Sequence, residues 1–215
     1  MPGPNEFIAQ LSGDLKPVRR LLSPSQRLGI WALFSVVSVL SIMFSVQGFR
    51  PGFLEELAKP KFLLETLFAF APFLSTSLIL LLIAVPGVRV SPLKIFAAFV
   101  PALIFLGFLG FGIYGAPSTQ PTIAGARASC FHEILYLSWI PIFALVFLIR
   151  RALPPRRVFL GGLIGFAGAC LPMAIMQVAC MYDPMHVLTH HAYPVLIITG
   201  IMALMGNAMI HFKRS

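Results

Sequence analysis

Six times along this chain, some twenty or more consecutive residues pass with almost no formal charge. Leu28 to Phe49, Thr66 to Val88, Ile95 to Ala126 and Val158 to Tyr182 contain no Asp, Glu, Lys or Arg. Cys130 to Ile149 contains only Glu133, near one end, and Pro184 to Phe212 is uncharged but His-rich at its start. Each run reaches the length, about 20 residues, that spans a hydrocarbon core as a helix. The spacing predicts an all-α membrane protein, a six-helix transmembrane bundle. The spans are expected near 28–47, 63–85, 93–114, 130–149, 158–181 and 192–211, with residues 182–191 as a short loop. The overall composition agrees, since 11% of the 215 residues are charged and a soluble domain carries about twice that share.

The first apolar run begins at residue 28, is too long for the core of a signal peptide and has no small-residue cleavage site after it, so the first helix is expected to be permanent. A net charge of +9 would suit a nucleic-acid binder, but its distribution points to lipid instead. With the amino terminus inside, Lys16, Arg19, Arg20, Arg27, Arg89, Lys94, Arg150, Arg151, Arg156, Arg157, Lys213 and Arg214 face the cytoplasm. Only Arg50, Lys59, Lys61 and Arg127 face out, a division of 12 against 4. Basic residues mark cytoplasmic loops, so an N-in/C-in topology is expected, with the bilayer as partner and no direct contact to nucleic acid.

This organisation leaves residues 1–27 as a cytoplasmic tail, 28–212 as the bundle and 213–215 as a cytoplasmic end. In the tail, Phe7, Ile8, Leu11 and Leu15 share one helical stripe, and Pro17 ends or kinks that helix. Asp14, Lys16, Arg19 and Arg20 supply charge around it. Such a segment is too short for a core of its own. It can lay its stripe into the groove of a protein partner or lie on anionic lipid. Within the spans, Pro72, Pro101, Pro141, Pro172 and Pro194 are expected to kink helices. Gly161, Gly165 and Gly168 form a smooth strip suited to close helix packing. Trp31, Tyr114, Tyr182 and Tyr193 are expected in the interfacial belts.

The outer face gathers the chemistry. Cys130 opens the fourth span and Cys180 closes the fifth, and the two spans are joined by a short turn around Pro154-Pro155. Cys130 lies 24 residues before Pro154 and Cys180 lies 26 after it, so at about 1.5 Å per residue the two thiols reach a similar height. Four readings are open: a structural disulfide, a thiol pair that senses oxidant or a thiophilic metal, a stable metal site, or unrelated thiols. His132, Asp183, His186 and His190 are the candidate metal ligands nearby, but the spacing matches no standard zinc signature. Cys170, about 15 Å deeper, is expected to be a buried small hydrophobe.

Little points to catalysis or transport. The spans hold almost no ionisable groups of the kind that line substrate and proton paths, and no nucleophile–base pair, phosphate loop or nucleotide fingerprint is visible. A carrier or channel would need a polar path lined by residues such as Gln177, Asn207 or Ser75. A structural subunit stabilised by a disulfide is a further alternative.

Several features together resemble a known family. They are the tail motif Asp14-Leu15-Lys16-Pro17-Val18-Arg19-Arg20-Leu21, six spans over about 215 residues, Cys130 at the outer end of span four, and Cys180-(x)2-Asp183-Pro184 after span five. This pattern is similar to the NrsF family, negative regulators of sigma F, which are bacterial inner-membrane anti-sigma factors. The resemblance implies a non-enzymatic regulator whose cytoplasmic tail (Phe7, Leu11, Asp14, Leu15, Lys16, Pro17, Val18, Arg19 and Arg20) holds an extracytoplasmic-function sigma factor. It also implies that Cys130 and Cys180 are periplasmic sensor thiols that respond to heavy metal or oxidant. No cofactor is expected beyond a transient thiophilic metal, and no small-molecule substrate. Met181-Tyr182-Asp183, the pair His190-His191 and the third cysteine, Cys170, depart from the family pattern.

Overall fold

The computed structural model describes residues 22–46, 48–85, 87–115, 127, 129–149 and 157–211, together with residues 6 and 13, giving the backbone alone for 157 and 207–211. The helices are α1 (Pro24–Val46), a short α2 (Phe53–Leu57), α3 (Pro60–Ile83), α4 (Pro92–Tyr114), α5 (Cys130–Leu137), α6 (Trp139–Ile149), α7 (Arg157–Ala179), α8 (Pro184–His186) and α9 (Tyr193–His211), with a π-helical segment, Val187–Ala192, between the last two. Six helical stretches are long and apolar enough to cross a membrane, α5 with α6 making one and α8 through α9 another.

Proline sets several of the helix starts. A proline at the first helical position has the right φ and lacks an N–H that would be unsatisfied there anyway. Pro60, Pro92 and Pro184 open their helices in this way. Pro24 opens α1 behind a reciprocal cap: Ser23 Oγ accepts from the Gln26 amide at 3.3 Å, and Gln26 Oε1 accepts from the Ser23 amide at 3.1 Å. Helix α1 therefore starts at residue 24 rather than near 28. Pro184 corrects the expected loop at 182–191 in the same manner. Asp183 Oδ2 caps the new helix by accepting from the His186 amide at 2.9 Å, and helical structure continues from there into the sixth span.

The fourth span is broken at Ser138, between α5 and α6. Pro141 explains the position, because a proline removes the bond to the carbonyl four residues earlier and crowds it. The Ser138 amide still donates to Ile134 O at 3.1 Å and the Ile142 amide to Ser138 O at 3.1 Å, so the chain bends without losing the helical track.

Helix α7 is the axis of the bundle. Of its apolar window 78% is buried, against 17% for α4 and 22% for α1, so α7 is sheathed by protein while α4 and α1 present side chains to lipid. It packs most extensively on α9 and then on α3. The glycine strip makes the α7–α9 contact close. A Cβ on Gly161 would lie 2.1 Å from Met202 O, and one on Gly165 2.9 Å from Ile198 O. Gly168 instead admits Ile142 of α6, whose Cγ1 would stand 2.5 Å from an added Cβ. One aromatic expectation, that of Trp31, is corrected. Trp31 is wholly buried, stacked on Phe73 at 4.5 Å, with Nε1 donating to Pro141 O at 2.9 Å. Tyr182 donates its hydroxyl to buried Glu65. Tyr114 and Tyr193 are exposed, as interfacial aromatics should be.

Candidate functional site

Cys130, at the first position of α5, and Cys180, just past the end of α7, come together at one end of the bundle and are both fully buried free thiols. His186, on the capped turn of α8, places Nε2 3.3 Å from Cys130 Sγ and 3.4 Å from Cys180 Sγ. His191, wholly buried on the π segment, completes a group of four whose ligand-type atoms all lie within 4.8 Å of one another. His186 and His191 meet edge to face at 5.1 Å.

The other expected ligands stand outside this group. His190 is exposed, stacked flat on His186 at 4.4 Å, and its Nδ1 lies 2.8 Å from Thr189 Oγ1. His132 is exposed beside Phe131. Asp183 spends one carboxylate oxygen on the His186 amide. His191 was not among the candidate ligands, because with residues 182–191 read as a loop the sequence offered nothing to separate it from its neighbour His190.

Charged residues close around the thiols. Arg50, almost fully buried, donates to Cys180 O at 3.1 Å, pairs with Glu56 and covers the Phe62 ring at 4.9 Å. Its amide donates to Val178 O at 3.2 Å, so the segment after α1 is tied to the last turn of α7. On the other flank Arg127 pairs with Glu133 at 2.9 Å and bonds Gly48 O, while Ser129 Oγ donates to Glu133 at 2.6 Å. Arg50 and Arg127, expected as loop charges in water, are thus buried ion-pair members. Such pairs hold a geometry because a charge left alone in a low-dielectric site is costly. The Cys180 thiol is drawn well below the ordinary cysteine range. The hydrogen bond with Cys130 does most of this and the two imidazoles add to it, against burial, which works the other way. Tyr182 is pushed above the usual tyrosine range, first by burial and then by its bond to Glu65.

Gln177 is buried three residues before Cys180, Ser75 Oγ donates to Ala98 O at 2.7 Å and so ties α3 to α4, and the Asn207 side chain lies outside the described residues. A cavity of about 590 Å³ has walls that include Phe105, Phe166, Cys170, Met173 and Leu196, and is almost wholly apolar. Phe7, Leu11, Asp14, Leu15, Lys16, Pro17, Val18, Arg19 and Arg20 of the tail lie outside the described residues.

Fold and site together define a multi-pass helical membrane protein with a buried cluster of thiols and imidazoles at one end. Comparison with known proteins narrows the class. Residues 11–212 match the family model described as negative regulator of sigma F, and the chain belongs to that family. The family is a regulatory one rather than an enzyme class, and its description is of negative regulation of a sigma factor. The chain is also 30% identical over 97 residues to the carotenogenesis protein CarR of Myxococcus xanthus. That match covers 44% of this chain and 41% of CarR. No solved structure matches.

Proposed function

We propose that this protein is an inner-membrane anti-sigma factor, with its amino and carboxyl termini in the cytoplasm. In the resting state the tail holds an extracytoplasmic-function sigma factor at the membrane and keeps it from polymerase. Phe7, Leu11 and Leu15 anchor the contact, Asp14, Lys16, Arg19 and Arg20 set its register, and Pro17 and Val18 shape the turn between them. A change at the periplasmic pair Cys130 and Cys180 releases the sigma factor, the thiols either taking a thiophilic metal or yielding two electrons and two protons to an oxidant as the disulfide forms.

One observation carries this reading: the matched family region runs from residue 11 to residue 212 and takes in the tail motif and both thiols as one unit. The packing supplies a route between them. Cys130 heads α5, which continues through the break at Ser138 into α6, and α6 receives Trp31 on Pro141 O and Arg27 on Leu148 O at 2.6 Å. Both donors belong to the helix that follows the tail. A new disulfide supplies about 2–4 kcal/mol, enough to move a balanced two-state bundle strongly.

The test uses the full-length chain, tagged at its carboxyl end and extracted from its own membrane. A sigma factor should co-purify, and deletion of residues 1–21 should lose it while the bundle is still inserted. Co-purification that survives the deletion removes the tail from the mechanism. A reporter driven by the captured sigma factor should be silent at rest and rise under cadmium or oxidant. Cys130→Ser with Cys180→Ser should abolish that response, and an intact response would discard the sensor role while sparing the anti-sigma one.

A further inference from the structure

We propose that Cys130, Cys180, His186 and His191 together form a tetrahedral Cys2His2 site for a zinc ion, held while both thiols are reduced. Its bearing on regulation rests on the thiol-sensing reading above, whereas the binding itself needs no sigma factor.

The first argument is metric. Zinc binds thiolate at about 2.3 Å and imidazole at about 2.0–2.1 Å in a tetrahedron, so its ligand atoms stand about 3.3–3.8 Å apart. The two sulfur–nitrogen separations, 3.3 and 3.4 Å, are on that scale, and no pair of the four exceeds 4.8 Å. Hydrogen bonding accounts for the arrangement less well. One imidazole nitrogen has a single hydrogen or a single lone pair to offer, and His186 Nε2 faces two sulfurs. A cation among the three atoms uses all of them at once.

His191 supplies the second argument. It has no exposed surface, and neither ring nitrogen makes a hydrogen bond of ordinary geometry, its polar neighbour being the Cys180 sulfur. Leaving a buried polar group unsatisfied is costly, and a ligand bond to a cation removes that cost.

The third argument is the π segment. An α-helix turns about 100° per residue, so residues five apart stand about 140° apart around it. The wider turn of a π-helix bonds residue i to i+5 and brings these positions onto one face, and such segments recur at functional sites. Here the widened stretch, Val187–Ala192, is what lets His186 and His191 face the same two sulfurs.

Charge and surroundings fit as well. Two thiolates and two neutral imidazoles around a divalent zinc sum to zero, which suits a buried position. Arg50 on the Cys180 carbonyl and Asp183 on the His186 amide hold the ligand-bearing backbone in place, as supporting groups around metal ligands do. Four protein ligands with no open position make a closed site.

The experiment uses the full-length protein purified in detergent under reducing conditions, without chelator. Elemental analysis should find ~1 zinc per chain. After the metal is stripped, titration with cobalt(II) should produce thiolate-to-cobalt charge transfer and the visible absorption of tetrahedral cobalt. His191→Ala should weaken cobalt binding more than about tenfold, whereas His190→Ala and His132→Ala should leave it within a few-fold. A wild-type chain that neither retains zinc nor takes up cobalt overturns the proposal, whatever the variants do. Loss of the signal in His190→Ala with retention in His191→Ala overturns the ligand set. Since no sigma factor is present, a positive result with no sigma factor ever captured separates this claim from the anti-sigma one.

Discussion

The two ends of the bundle are built on different physics. At the thiol end, polar groups are sunk below the surface and interlocked: Arg127 with Glu133 and Ser129, Arg50 with Glu56 and the Cys180 carbonyl, Tyr182 with Glu65. Among the described residues toward the opposite end, apolar packing dominates, and two long side chains of α1, Trp31 and Arg27, reach carbonyls of α6. An end full of mutually dependent charges has few acceptable arrangements, since each partner moved leaves another unpaired. An end joined by single hydrogen bonds has more. On the proposed reading, a stimulus that alters the thiols acts where the structure is most sharply defined and is expressed where it can give.

The largest expected effect tests the thiol end. Glu133→Ala leaves the Arg127 guanidinium buried without a counter-charge and should cost about 3–5 kcal/mol, read as the unfolding midpoint in detergent. Arg127→Met combined with Glu133→Leu should recover most of the loss. A single variant costing under about 1 kcal/mol would break the contrast between the ends.

Next comes the seam that joins them. Gly161→Ala puts a methyl group 2.1 Å from Met202 O, so α7 and α9 must separate, at about 1–3 kcal/mol. Helix-pair crosslinking yield as well as thermal stability should report the change. Cobalt binding at the far end should survive it.

At the opposite end, Trp31→Phe keeps the stacking on Phe73 and removes the donor to Pro141 O. A loss of about 0.5–1.5 kcal/mol is expected. If this contact relays the stimulus, the variant should blunt the transcriptional response while cobalt affinity stays unchanged. The smallest effect belongs to Ser23→Ala, which breaks the exposed reciprocal cap of α1 at about 0.5 kcal/mol. It should be visible as faster amide exchange at residues 25–27 rather than as a lower melting point.

Much of this architecture is legible from charge spacing, because lipid penalises charge so heavily that six clean runs leave little choice. The errors fall where charge was taken as the marker of water. Arg27 suggested that α1 starts after it, yet Ser23-Pro24-Ser25-Gln26 is a capping signal written in the sequence, and Arg27 lies inside the helix with its charge turned to the Leu148 carbonyl. Arg50 and Arg127 looked like loop residues in solvent, whereas each is buried against a carboxylate. The His-rich stretch 182–191 looked like a loop, although Asp183-Pro184 is a helix start. The pairing of Cys130 with Cys180 was visible as a matter of height along two antiparallel helices. That His186 and His191 complete the cluster, rather than His132, Asp183 and His190, was not, because it depends on a local widening of the helix that composition does not betray.

Sequence alone therefore determined that this chain has six segments able to cross a membrane and that Cys130 and Cys180 stand level, since hydrophobic length and helical rise are properties of the chain taken one segment at a time. Tertiary structure alone decided which helix is the axis, which charges are buried, and which imidazoles meet the sulfurs. Those outcomes depend on distances between segments far apart in sequence, where a glycine admits a neighbour or a proline bends a helix, and no local pattern encodes a distance of that kind.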